Sequence, residues 1–204
     1  METDLQLLNS ARTMNKDALV KIFDLYSSVL YKYALSLCYD PVMADHVVGD
    51  VFAKLLEKFA SGQGPNTDLR SYLYQATYHR IIDETRYSKR RISLEVVEWL
   101  PQDVLSGYMN VEDQLLQKQV LQAIQNDLTN DQRHVVVLRF LEGFSVRETA
   151  TIIGKAEDHV RVIQSRAIAK LRKALDNKIA RRRAPSSMVK QLAKASTGTQ
   201  LSQL

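Results

Sequence analysis

Residues 128–175 read LTNDQRHVVVLRFLEGFSVRETATIIGKAEDHVRVIQSRAIAKLRKAL, and two helix-start signals lie inside that stretch. Thr129 is followed by Gln132, and Ser145 by Glu148. Each pairs a hydroxyl with an amide or acid three residues on, the spacing at which side chains and backbone satisfy each other's free donors at a helix start. Gly143 interrupts the chain between the two helices and Gly154 closes the second, predicted over residues 146–153. A longer basic helix is predicted from Glu157 to Lys178 or beyond. Together these elements form a helix-turn-helix, with Thr149-Ala150 at the tight crossing of its two helices. The second helix of such a unit enters the major groove while the first braces it across the backbone.

A turn of about 100° per residue sorts that second helix into faces. Val160, Ile163, Ala167 and Leu171 share one face and are predicted to be buried. Asp158, Arg161, Val162, Ser165, Ala169 and Arg172 lie roughly opposite, with His159 and Arg166 on a flank. Arg161 and Ser165 are the candidates for base edges. Arg166, Lys170 and Arg172 suit phosphates, and His159 and Val162 complete the candidate reading face.

The charge distribution points the same way. The chain carries a net charge of +5 over 204 residues. From Arg161 onward eleven basic residues face a single acid, Asp176, so the preceding residues are net acidic. A basic end on an acidic chain implies different partners for the two parts, and a polyanion suits the basic one.

Upstream, helical periodicity runs from Asp17 to Leu37 through Leu19, Ile22, Phe23, Tyr26, Val29, Leu30, Tyr33 and Leu37. Asp40-Pro41 reads as an N-cap and first-turn proline opening a second helix, which carries Val47, Val48, Val51, Phe52, Leu55, Leu56 and Phe59. SGQGPNTD (61–68) forbids continuation. Thr67 or Asp68 then caps a third helix, predicted over 69–89, with Leu73, Ala76, Ile81 and Ile82 inward. Three helices with short connections make a bundle. From Ile92 to Asp113 the pattern lapses into an acidic stretch with Pro101 and Gly107, and periodicity returns at Leu115. The predicted fold is therefore all-α: two small helical domains joined by a linker, the second containing the helix-turn-helix.

The third helix interleaves Tyr72, Tyr74 and Tyr78 with Arg70, Arg80, Arg86, Lys89, Arg90 and Arg91. Rings that stack bases beside cations that hold phosphates suit single-stranded DNA.

The 128–175 stretch resembles region 4 of bacterial sigma factors, the promoter-binding domain. The match runs through Leu128–Gln132, Leu138-Arg139, Glu142-Gly143, Ser145–Ile153, Val160, Arg166-Ala167 and Leu171-Arg172. DPVMADHVVGDVFAKLLEKF followed by LRSYLYQATYHRIIDETRYSKRR resembles region 2 of the extracytoplasmic-function (ECF) group. The resemblance implies that region 4 binds the −35 element and touches the β flap. It also implies that region 2 docks on the β′ clamp helices of core RNA polymerase through Asp45, Asp50 and Glu57. The −10 strand would be held by Tyr72, Tyr74, Tyr78, His79, Asp83, Arg86, Lys89 and Arg90. The chain departs from the family where tryptophan commonly replaces Tyr72, asparagine His79, serine or threonine Ala156, and arginine-leucine Ile163-Gln164.

On this reading, residues 1–13 are a lead, 14–92 the region 2-like domain and 93–111 an acidic linker keeping the domains apart. Residues 112–178 form the region 4-like domain and 179–204 a basic, disordered tail. The implied partners are core polymerase, promoter DNA and an anti-sigma protein that clamps both domains. No Gly-rich phosphate loop or nucleophile elbow is present. Cys38, His46, His79, His134 and His159 show no metal-ligand spacing. Neither an enzyme activity, a cofactor nor a metal is expected. No apolar run long enough to span a membrane occurs. The acidic start lacks a signal peptide's basic region and apolar core, and one cysteine forms no internal disulfide; both suit a cytoplasmic protein. Two alternatives remain: a two-domain regulator binding duplex operators without polymerase, and a helical adaptor whose basic tail meets acidic surfaces.

Overall fold

The computed structural model describes residues 4–87, 120 and 122–183, all built from helices and the turns between them. The first is α1 (Asp4–Arg12), within the stretch that the sequence reading leaves as a lead. Its Leu7, Leu8 and Ala11 are buried, which anchors it on the bundle. The signal was the i, i+1, i+4 spacing of those three residues, too short to stand out alone.

Next come α2 (Lys16–Cys38), α3 (Pro41–Ala60) and α4 (Leu69–Tyr87). Asn15 caps α2 by accepting from the Ala18 N–H at 3.0 Å. Asp40 caps α3 by accepting from Val42 and Met43, with Pro41 in the first turn as predicted. Asp68, one of the two caps proposed for α4, accepts from the Ser71 N–H at 2.9 Å. Between α2 and α3, Tyr39 is left-handed at φ 56° and donates its N–H to Leu35 O.

The bundle core is formed by Ile22, Leu30, Tyr33, Val47, Val51, Leu55, Leu73 and Ile81, each at most 2% exposed. Each such aliphatic side chain contributes about 1.5–3 kcal/mol by leaving water. The apolar stripe is narrower than the sequence pattern implies. Phe23 is 50% exposed, Val29 37% and Leu56 40%, although Phe23 still rests against Phe52 at 4.9 Å.

The second half begins with α5, described over 122–127. It continues through α6 (Asn130–Val136), a π-helical turn (Val137–Leu141), α7 (Val146–Ile153) and α8 (Glu157–Arg183). Both capping boxes form, at Thr129 with Gln132 and at Ser145 with Glu148. Gly154 takes φ 66° and lets Lys155 turn back to donate to Ala150 O. Val160, Ile163 and Ala167 are buried and Leu171 half-buried, as the 100° sorting predicts.

The two halves are not held apart. Val135, Val137, Leu138, Phe144, Ile152 and Ile153 share one continuous apolar core with α1–α4. A second, smaller cluster joins Val136 to Ile124, Leu128 and Ala167. The run 134–138 is thus buried on every side, which a helix tolerates only inside a core. The segments 88–119 and 184–204, including the expected linker, Lys89 and Arg90, lie outside the described residues, whereas residues 179–183, expected to open a disordered tail, continue α8.

Candidate promoter and polymerase interfaces

The proposed reading face of α8 is open to solvent. His159, Arg161, Val162, Ser165, Arg166, Lys170 and Arg172 are all exposed. An open groove of about 570 Å³ runs along it, bordered by Val146, Arg161, Ser165, Ala169 and Arg172. Arg161 is not idle: its guanidinium pairs with Asp158 at 2.8 Å and Glu157 at 3.1 Å, one helical turn back. Those carboxylates occupy the guanidinium, and a phosphate or base edge must compete with them.

Behind that face, Arg139 fastens α8 to the turn before α7. Its Nε donates to Gln164 Oε1 at 3.1 Å, and the same guanidinium donates to Phe144 O. The departure at Ile163-Gln164 therefore has a structural use, since Ile163 fills the core and Gln164 anchors Arg139. Thr149, expected at the crossing of α7 and α8, is buried with its hydroxyl unpaired.

On α3, Asp45 and Glu57 are exposed and Asp50 is half-buried. They do not form one stripe. Asp50 and Glu57 are a heptad apart, whereas Asp45 lies about 140° around the helix from Asp50. Between those edges runs an exposed strip of Val42, Gly49, Ala53 and Leu56. An apolar, small-residue strip with acids on both margins suits a partner helix carrying basic flanks. Asp50 is also tied inward: it accepts from Arg80 Nε at 2.6 Å, and Arg80 pairs with Glu84 as well. The Arg80 guanidinium is held more firmly protonated mainly by that hydrogen bond to Asp50.

The tyrosine array on α4 divides between two faces. Tyr72 is half-buried, with Lys58 Nζ 5.6 Å from its ring centre, and shares the outer side with exposed His79 and Asp83. Tyr74 and Tyr78 turn about 160° and 120° away from Tyr72, and are 2% and 8% exposed. The Arg86 side chain, like Lys89 and Arg90, lies outside the described residues.

What covers Tyr74 and Tyr78 is the second half of the chain. Phe144 meets Tyr74 edge-on at 4.8 Å, and His134 meets Tyr78 edge-on at 4.6 Å. The Tyr74 hydroxyl donates to the Glu142 carboxylate, and burial with that bond raises its pKa well above the usual phenol range. Burial likewise raises the Glu142 carboxyl. Arg70 lies 3.9 Å over the Phe144 ring and donates to Glu142 O. Gln75 donates to Thr151 O at 3.2 Å.

Deeper in, Tyr33 and His134 share a hydrogen bond, and burial lowers the His134 pKa to about 3. Arg133 adds a cation over the Tyr39 ring at 5.1 Å, and burial pushes the Tyr39 hydroxyl up to about 12. Sequence reasoning missed Tyr33, His134, Glu142 and Phe144 as a group. Their one local signal was the unbroken apolar run after His134.

Among the described residues, no cluster of three His, Cys, Asp or Glu side chains is arranged to hold a metal ion. None of the described helices is long and apolar enough to cross a membrane.

Comparison with known proteins places these features in a family. Sigma-70 region 2 matches residues 22–91, and Sigma-70 region 4 matches residues 126–173. In this order they span more than half of the chain. The ECF RNA polymerase sigma factor BldN of Streptomyces coelicolor is 26% identical over 175 residues, covering 84% of this chain and 65% of that relative. This chain thus spans just under two thirds of BldN. The ECF RNA polymerase sigma factor SigX of Bacillus subtilis is 26% identical over 160 residues, covering 76% of this chain and 82% of SigX. Among solved structures, CnrH in complex with the cytosolic domain of CnrY aligns with TM-score 0.64 at 23% identity, covering 85% of this chain and 97% of that one. The sigma factor RpoE of Bartonella quintana, in complex with the anti-sigma factor NepR, aligns with TM-score 0.56 at 22% identity, covering 76% and 95%. At such identities these two structures speak for the fold.

Proposed function

The chain belongs to the ECF group of RNA polymerase sigma factors, and from that premise we propose that it confers promoter recognition and strand opening on core polymerase in the cytoplasm. It performs no covalent chemistry; nucleotide addition belongs to the core enzyme. Residues 14–92 and 112–178 are its two working units.

In this reading α8 lies in the major groove of the −35 element. Arg161 and Ser165 meet base edges, Arg166, Lys170 and Arg172 hold phosphates, and His159 and Val162 complete the surface. The α3 strip, with Asp45, Asp50 and Glu57 at its margins, docks on the β′ clamp helices, and the region around α6 and α7 contacts the β flap. The α4 helix holds the melted −10 strand through Tyr72, Tyr74 and Tyr78, with His79, Asp83, Arg86, Lys89 and Arg90 beside them. Extruding a base also needs a pocket, for which the 61–68 loop between α3 and α4 is the candidate. An anti-sigma protein is the expected regulator, by analogy with the complex of RpoE with the anti-sigma factor NepR.

The observation carrying this reading is the wholly exposed polar and basic face of α8 on a chain that also bears region 2. The test is run-off transcription by bacterial core polymerase on a promoter library, with and without the chain. A set of transcripts that depends on the chain is expected. If the chain elicits none with any compatible core, while binding duplex DNA unaided, it is an operator-binding regulator instead.

A further inference from the structure

The outward face of α8 is not uniformly basic. At about 100° per residue, Asp158, Val162, Ser165 and Ala169 all lie within about 40° of the direction opposite the buried stripe. All four are exposed, the Asp158 side chain by 96% and Val162 by 44%. The cations stand to either side of that line, about 45–75° off it. Arg161 and Arg172 are on one flank and Arg166 and Lys173 on the other, all of them exposed.

An acid laid against a polyanion weakens binding unless a donor meets it. In the major groove only the amino groups of cytosine and adenine donate, and adenine sets its N7 acceptor beside that amino, whereas cytosine offers N4 alone. Arg161 takes one Asp158 oxygen at 2.8 Å, and a carboxylate has further acceptor sites. The Val162 and Ala169 side chains carry no polar group, and the apolar feature that the groove offers them is the C5-methyl of thymine. The flanking cations face the phosphates on either side, which fix register without carrying sequence information.

We propose that this central line sets the duplex sequence that the chain selects: Asp158 accepts from cytosine N4, and Val162 and Ala169 pack on thymine methyls further along. Arg166, Arg172 and Lys173 position the helix without choosing bases, and Arg161 keeps its base contact beside Asp158. The proposal rests on the −35 role given to α8 above, to which it adds the bases. For a helix lying along the groove, a rise of 1.5 Å per residue puts Val162 about 6 Å and Ala169 about 17 Å beyond Asp158. At about 3.4 Å per base pair, the thymines then fall within about two and five pairs of the cytosine. Asp158 discriminates in two ways, because it gains a bond from cytosine and repels the acceptors that guanine and thymine present at the same place.

The test is promoter selection by the full chain on bacterial core polymerase. The templates carry one promoter found by run-off transcription, with its −35 element randomised, and the transcribed templates are sequenced. The unsubstituted chain should enrich cytosine at one position and thymine within a few pairs of it. Asp158→Ala should erase the cytosine preference, a change of about tenfold, and leave the other positions as they were. Arg172→Ala should lower the yield from every template alike. Deoxyuridine, which lacks only the methyl, placed at an enriched thymine should lower the yield severalfold for the unsubstituted chain and not at all for Val162→Ser. A chain that selects no cytosine, an Asp158→Ala profile that keeps the cytosine or changes only at a guanine, or a uracil swap without cost would overturn the proposal. If no promoter can be selected with any compatible core, the function on which it rests fails instead.

Discussion

Tyr33 of α2 and His134 of α6 stand 101 residues apart in the chain, yet Tyr33 Oη and His134 Nδ1 lie 3.2 Å apart out of reach of solvent. That contact ties the first three-helix bundle to the helix-turn-helix half. The Tyr33 hydroxyl is pushed well above the usual phenol range by burial, and His134 is held neutral. Both groups are therefore most at ease uncharged, and the joint depends on their staying so.

Acid should loosen this joint. Facing His134 are Tyr33 from α2, Tyr78 from α4, and Arg133 and Asp131 from its own helix. The buried imidazole has its pKa lowered to about 3, mainly by burial and next by Arg133, and exposure returns it toward 6.5. Below that value the open or unfolded state takes the proton and the closed state does not. Closure therefore weakens as pH falls, by about tenfold in the closed-to-open ratio per pH unit. Glu142 works in the opposite sense, because its raised pKa lets the closed state take a proton first, but its shift is the smaller. Fluorescence energy transfer between labels at positions 75 and 151 should report opening between pH 7 and pH 5. His134→Gln should flatten the profile, and an unchanged profile would assign the effect to another group.

Arg70 and Phe144 should be energetically coupled. The guanidinium sits 3.9 Å over the ring, half-buried, where a cation–π contact contributes about 1–2 kcal/mol. A double-mutant cycle with Arg70→Ala and Phe144→Leu, read by urea unfolding, should return a coupling of that order. Additive effects would mean that Arg70 acts only through its bond to Glu142 O.

Arg161→Glu should abolish binding to the −35 duplex while core association persists. Asp158→Asn should do the reverse in milder form, since it releases Arg161 from one of its two carboxylates. Its duplex affinity should rise and fall off more steeply with salt. Electrophoretic mobility shifts at two salt concentrations check both. An equal loss of core association in Arg161→Glu would refute the face assignment on α8.

Asp50→Asn should weaken core association and cost little stability. The Arg80–Asp50 pair is partly exposed, at 25% and 46% of its side chains, so its contribution to folding is at most about 1 kcal/mol. Thermal unfolding and a core-binding titration separate the two effects. A large fall in Tm with unchanged core affinity would make Asp50 a structural residue.

Gly154→Ala should destabilise the helix-turn-helix by about 1 kcal/mol. The position has φ +66°, while a Cβ there would meet nothing within 4 Å, so the cost is purely conformational. A matching fall in Tm should accompany retained duplex binding once the chain is folded.

The helices and their ends were legible because their causes are local. Asp40-Pro41, Thr129 with Gln132, Ser145 with Glu148 and Gly154 act on backbone groups within a turn of themselves. The buried and exposed faces of α8 followed equally well, since only one side of that helix packs on the rest of the fold, through Val160, Ile163 and Ala167. Where a helix is covered on two opposite sides the same reasoning faltered. Tyr74 and Tyr78 carry no mark that distinguishes a base-stacking ring from one closed by Phe144 and His134.

By itself, then, the sequence determined an all-α chain with regions 2 and 4 in order, a helix-turn-helix with its polar face outward, and an acidic-edged helix beside a tyrosine-rich one. Only the tertiary structure decided that the two halves share a core, that the tyrosine array splits between two faces, and that Arg161 is pre-paired. Caps and periodicity report interactions over three or four residues. The joint between Tyr33 and His134 instead depends on two remaining apolar faces finding each other across 101 residues, which the run Val135–Leu138 hints at but no local pattern specifies.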